Sequence, residues 1–264
     1  MMEKSGLPAF DSPPVVETVA AIEFAPLASL TFVEIARLVD AWSDEYPVHE
    51  VKEAIPSHSP QPASGPQLQL VTGPQPVRLW LLNESGWLVQ VQHDRLVVNW
   101  RDVPGGITYP RYPAIRSRFF QLWDSLSEFL ADRGLEAPVP TSADFTYVNR
   151  VDLEPGEGPE DALTLLARPA MPLPGSSGAA RFQFARDLAA EDEEFAGQVI
   201  VTGEPDATAG SSSYAVTVTT RLALPVGAGG LDLRKALDVA RSVGVRTFAS
   251  VTTEAKQDLW GRTQ

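Results

Sequence analysis

The chain of 264 residues contains no cysteine. Disulfides, thiolate zinc sites, iron–sulfur clusters and cysteine nucleophiles are therefore excluded. Histidine is scarce, with only His49, His58 and His93. No HxH or HExxH spacing occurs, so no histidine-built metal site is indicated. His93-Asp94 sits in a two-residue turn, where neighbours point apart, which argues against a catalytic triad. Cations are outnumbered, 21 Lys+Arg to 34 Asp+Glu, for a net charge of −13. Direct nucleic-acid binding is not expected, because phosphate contacts need surplus cation. No apolar run approaches the roughly 18 residues of a membrane span. The start, Met1–Pro8, has no apolar stretch after its lysine, so no signal peptide is read and a cytoplasmic location is expected.

Hydrophobic residues at 44% and charged residues at 21% suit a soluble globular fold. Pro13-Pro14 lead into a strand over Val15–Phe24, with Val16, Thr18, Ala20, Ile22 and Phe24 on the core side. Thr31 and Glu34 open a helix expected over Phe32–Tyr46, whose apolar spacing is Phe32, Ile35, Ala36, Val39 and Trp42. Pro56–Pro66 holds four prolines and reads as a loop. Strands are expected at Gln67–Val71, Val77–Leu82, Trp87–Gln92 and Arg95–Arg101. Their alternation implies an antiparallel meander with one buried face. A long helix over Ala114–Arg133 carries Ile115, Phe119, Leu122, Trp123, Leu126, Phe129 and Leu130, and Gly134 closes it.

The order then repeats. A strand is expected over Phe145–Leu153 and a weak helix over Glu160–Arg168. Strands follow at Arg181–Leu188, Phe195–Thr202 and Tyr214–Leu224, then a helix from Asp232 to Trp260 bent at Gly244. The expected fold class is α+β: two strand–helix–meander–helix units sharing one curved antiparallel sheet, long helices on one face, in a TATA-binding-protein-like or START-like element order. Residues 1–12 form a flexible N-terminus. Residues 13–138 and 139–264 form two halves packed as one globular unit.

No cofactor motif emerges. Pro104-Gly105-Gly106, Gly175–Gly178 and Gly227–Gly230 lack both the phosphate-loop and the GxGxxG patterns. The acid run Glu191–Glu194 reads as a solvated hairpin tip rather than a magnesium site. Asp144, Asp152 and Glu154 flank one strand and give weak support to two-carboxylate glycoside chemistry. Gln67, Gln69, Gln90, Gln92, Arg95 and Asn99 fall on the non-core strand faces. They read either as an ordinary solvated sheet face or as a hydrogen-bonding recognition surface. Trp260 pins the last helix or faces a partner.

Several segments carry a resemblance: Pro13-Pro14-Val15-Val16-Glu17, Gln90-Val91-Gln92, Asn99-Trp100-Arg101, Tyr109-Pro110-Arg111-Tyr112, Tyr147-Val148-Asn149, Thr252-Thr253-Glu254 and Trp260-Gly261. Together they resemble a sporadically distributed bacterial family of similar length. The resemblance implies no activity or cofactor; its patchy occurrence hints at defence, antitoxin or immunity roles. Arg101 and Arg111, cations in an acidic chain, suit either an anion site or internal ion pairs. The expected recognition residues are Gln90, Gln92, Asn99, Arg101, Arg111, Tyr112, Asn149 and Trp260.

The leading expectation is a non-enzymatic interaction protein with a basic protein partner, without membrane or nucleic acid. The first alternative is a START-like small-molecule module with Trp80, Phe119, Trp123 and Phe248 lining a pocket. The second is a hydrolase using carboxylates or Arg101 and Arg111. A homodimer seam would draw on Val239, Val243 and Phe248.

Overall fold

The computed structural model describes residues 6–56, 77–166, 181–190, 194–206 and 213–263. Through them run β1 (Val15–Phe24), α1 (Phe32–Trp42), β2 (Val48–Glu53), β3 (Val77–Leu82), β4 (Trp87–Gln92), β5 (Arg95–Arg101) and α2 (Arg111–Asp132). There follow β6 (Pro140–Asp152), α3 (Pro159–Ala162), β7 (Phe182–Leu188), β8 (Gly197–Pro205), β9 (Ser213–Ala223), α4 (Gly230–Val251) and α5 (Glu254–Leu259). The protein is α+β, with one antiparallel sheet of strand order β2-β3-β4-β5-β1-β6-β9-β8-β7. The chain divides into two compact units, Ala21–Thr141 and Met1–Ala20 with Ser142–Gln264. Residues before Ala21 thus group with the later part of the chain rather than with an N-terminal half.

In the unit Ala21–Thr141, turn chemistry sets the strand ends. The Asn83 side-chain oxygen accepts from the backbone N–H groups of Ser85 and Trp87, each at 3.1 Å. Gly86 follows at φ 91°, where a Cβ would stand 2.3 Å from the Arg101 carbonyl oxygen. Only glycine fits there. β4 and β5 pair Trp87 with Trp100, Val89 with Val98 and Val91 with Leu96 on one face. Leu88–Asn99, Gln90–Val97 and Gln92–Arg95 pair on the other. Helix α2 packs against β5 and buries Ile115, Phe119, Leu122, Trp123, Leu126 and Leu130. It ends where the Leu135 N–H reaches the Leu130 carbonyl over Gly134, at φ 63°.

Three expectations change here. All of β4 and the first six residues of β5 are buried, so the meander is covered on both faces rather than one. Helix α1 stops at Trp42 and buries Ile35, Leu38, Val39 and Trp42, while Phe32 stays 51% exposed. β2, unexpected from its polar sequence, pairs along its whole length with β3. The strand expected at Gln67–Val71, and Pro56–Pro66 beyond Pro56, lie outside the described residues.

In the other unit, β6 starts at Pro140 and pairs with β9 from Ser142 to Asp152. Helix α4 packs on β9 and runs unbroken through Gly244, which faces Tyr147 and Thr220. The break comes at Thr252-Thr253. The Thr252 hydroxyl donates to the Phe248 carbonyl at 2.9 Å, and the Gln257 amide donates to the carbonyls of Ala249 and Thr252. Helix α3 is a single turn, shorter than expected. Val243 and Phe248, candidates for a dimer seam, are buried within the chain. Phe248 stacks on Trp260 at 5.4 Å, and Phe10 closes edge-on against both rings. The N–H groups of Asp11 and Ser12 donate to the carbonyls of Gly261 and Trp260. The segment expected to be flexible is thereby tied at Phe10–Ser12. At the start of β7, the Phe182 ring lies over Gly203 of β8, where a Cβ would fall 2.2 Å from it. Among the described residues no helix is long and apolar enough to cross a membrane.

Candidate recognition site

Period-two alternation on four strands of the unit Ala21–Thr141 assembles one polar face. It carries Glu50 and Lys52 from β2, Arg78 and Trp80 from β3, Gln90 and Gln92 from β4, and Arg95, Asn99 and Arg101 from β5. A guanidinium N–H of Arg78 donates to the Gln90 side-chain oxygen at 2.8 Å, and the Gln90 amide donates to Asn99 at 2.8 Å. The Gln92 amide donates to Asp94, and its oxygen accepts from the Ile55 N–H. Arg95 is satisfied by Glu23, Asp94 and the Pro56 carbonyl. Of the six residues expected on a polar strand face, Gln90, Gln92, Arg95 and Asn99 are buried rather than solvated, and Gln67 and Gln69 lie outside the described residues. A buried amide must find partners or cost about 1–3 kcal/mol, so internal satisfaction is what allows this face to be covered.

Three cations surround one indole. Lys52 Nζ lies 5.0 Å from the Trp80 ring centroid, Arg78 Cζ 5.3 Å and Arg101 Cζ 6.0 Å. Lys52 is ion-paired with Glu50. Arg78 and Arg101 have no acid partner among the described residues. The Nε–H groups of both, and the Trp80 indole N–H, are buried without an acceptor among the described residues. Burial, and next the nearby Arg95 charge, hold the Arg78 guanidinium below its usual pKa. Residues 54–76, the connection from β2 to β3, contain no Asp or Glu that could neutralise either.

Of the expected recognition residues, the structure brings together Gln90, Gln92, Asn99 and Arg101. Arg111 opens α2 at φ 65°, its guanidinium 5.6 Å from the Tyr109 ring, with Tyr112 next to it. A non-glycine residue there carries local backbone strain. Asn149 and Trp260 belong to the other unit. Asn149 is 2% exposed and donates to the Val216 carbonyl, and Trp260 packs on Phe248 and Phe10. Lys52 and Arg78 were missed, and Trp80 was expected in the core or lining a pocket rather than among cations. The alternation of Val77–Leu82 puts Arg78 and Trp80 on one face, but Trp80 reads as core by hydrophobicity alone.

The other sequence candidates fall apart. Asp144 takes a two-pronged ion pair from Arg221, and lies eight residues from Asp152 along β6, about 26 Å at strand rise. These two carboxylates cannot flank one bond. The Asp94 carboxylate turns to Gln92 and Arg95, and His49 bonds the Tyr46 carbonyl. Glu194 pairs with Lys235, while His58 and residues 191–193 lie outside the described residues. Of the residues expected to line a pocket, Phe119, Trp123 and Phe248 are buried, and Trp80 lies on the polar face. A groove of about 480 Å³ lies in the other unit, between α4 and the strands β7 and β8. Its walls include Phe184 and Arg186 of β7, Val199 and Val201 of β8, and Val243 and Arg246 of α4. Comparison of the chain with protein-family models, curated proteins and solved structures finds no match.

Proposed function

We propose that the protein is a non-enzymatic, cytoplasmic interaction protein that captures an extended segment of a partner protein along β7. The observation that carries this reading is the state of that strand. Among the described residues β7 ends the sheet, five consecutive residues from Gln183 to Asp187 are exposed, and Phe184 stands 44% exposed on the wall of the groove. An edge strand offers unpaired backbone groups to an added strand, and a pocket beside it takes an alternate side chain. The net charge of −13 favours a basic partner. The element order supports two like units in a TATA-binding-protein-like or START-like arrangement. The family resemblance supports an accessory role of the antitoxin, immunity or defence kind.

The test is capture of partners from the native host, followed by hydrogen exchange on the purified pair. Binding along β7 protects the Gln183–Asp187 amides, and Phe184→Lys abolishes both protection and affinity. A monodisperse protein with no partner, or a partner indifferent to Phe184→Lys, overturns the reading.

A further inference from the structure

We infer that the Trp80 face is an anion-binding site, and that its ligand is a phosphate group, free or as a small phosphomonoester. The inference goes beyond the β7 reading and does not depend on it. Its ligating groups are the guanidiniums of Arg78 and Arg101 and the Trp80 indole N–H.

The argument begins with charge. In a chain of net charge −13, cations normally sit beside acids. On this face Lys52 and Arg95 do so, and Arg78 and Arg101 do not. Both lie against one indole, so two like charges are held near each other on a partly buried surface. Such cations cost stability unless a counter-charge meets them. The β2–β3 connection, free of acids, cannot supply one.

Donor geometry points the same way. Three buried N–H groups around one ring, Arg78 Nε, Arg101 Nε and Trp80 Nε1, have no acceptor among the described residues. Unmet donors of this kind are uncommon in folded proteins, and three around one ring call for one explanation. An oxyanion beside the Trp80 ring would bring an acceptor to this group of donors, and guanidinium forks match its oxygens. The Arg78–Gln90–Asn99 chain fixes Arg78 from behind, so the site is organised before a ligand arrives. Charge then selects among oxyanions. Two unneutralised guanidiniums match the charge of about −1.5 to −2 on a phosphate monoester better than a single carboxylate.

The experiment uses the full chain, with calorimetric titration and thermal midpoints in inorganic phosphate, glycerol phosphate, succinate and chloride at equal ionic strength. Inorganic phosphate or glycerol phosphate is expected to raise the midpoint and titrate to saturation, the stronger of the two naming the source. Arg101→Gln and Arg78→Gln are each expected to weaken that binding at least tenfold, and Trp80→Phe several-fold. Without ligand, Arg101→Gln should fold with an unchanged or raised midpoint, because it removes an unpaired cation. Should Arg78→Gln fail to fold, Arg101→Gln and Arg101→Lys carry the test alone. A phosphate response no larger than that of chloride, or one that survives Arg101→Gln, overturns the proposal. Succinate binding as tightly as phosphate overturns the assignment to phosphate. Phe184→Lys should leave phosphate binding intact, so failure here and failure of the β7 reading are told apart.

Discussion

β4 and β7 are both short hairpin strands with aromatic and amide side chains, yet they meet opposite surroundings. Every residue of β4 is buried. In β7 only Leu188 is. The difference lies in place rather than in composition. β4 is flanked by β3 and β5, whereas β7 closes the strand order. The comparison teaches that a glutamine on a strand marks a solvated face only when nothing covers it. Covered, it becomes part of a network in which every neighbour must agree.

Substitutions can break this contrast at several strengths. The largest effect is expected where β5 meets the core. Trp100 is 1% exposed, and Trp100→Ala should destabilise by about 3–5 kcal/mol in urea unfolding. Next comes Gln90→Leu, which removes the acceptor of the Arg78 guanidinium and a donor to the Asn99 oxygen. A loss of about 2–3 kcal/mol is expected, where the same change on an exposed strand would be nearly neutral.

Lys256→Met should cost about 2 kcal/mol, because a buried ammonium bonded to the Asp152 carbonyl and the Glu157 carboxylate is lost. This variant has a pH signature. The Lys256 hydrogen bond, and next the Glu154 N–H, hold the Glu157 carboxyl below its ordinary value. A carboxyl depressed in the folded state adds stability above its unfolded pKa and loses it as pH falls through the folded one. The gap in urea midpoint between the parent and Lys256→Met should therefore be full at neutral pH and narrow below about pH 4.5. A gap constant down to pH 3 would exclude the link. The smallest effect is expected on the exposed edge, where Phe184→Ala should stay within about 0.5 kcal/mol of the parent.

The contrast also shows which features were legible in the sequence. β1, β3, β4 and β5 take the expected bounds because chemistry punctuates them: proline before β1, the Asn83–Gly86 turn and the His93-Asp94 connection. β2 was missed because Val48 and Val51 break the period of two, and the strand owes its existence to pairing with β3. The C-terminal helix breaks at Thr252-Thr253 rather than at Gly244, because side-chain hydroxyl and amide groups there bond backbone carbonyls across the break. Gln90, Gln92, Asn99 and Arg101 were legible as one face by alternation alone. The burial of Gln90, Gln92 and Asn99 was not; at Gln92 it comes with Ile55 folding back to bond the amide, as Pro56 does at Arg95. Trp80 was hidden by its own hydrophobicity: an indole among cations has the same letter as an indole in a core.

The Phe182 ring seated on Gly203 has a consequence for variation. Position 203 is a keyhole. Any side chain at 203 must displace the Phe182 ring, so a saturation library there should favour glycine while Phe182 is kept and relax its preference once position 182 is randomised with it. The two positions would then drift as a linked couple, and that linkage is the trace an aligned set of relatives should carry.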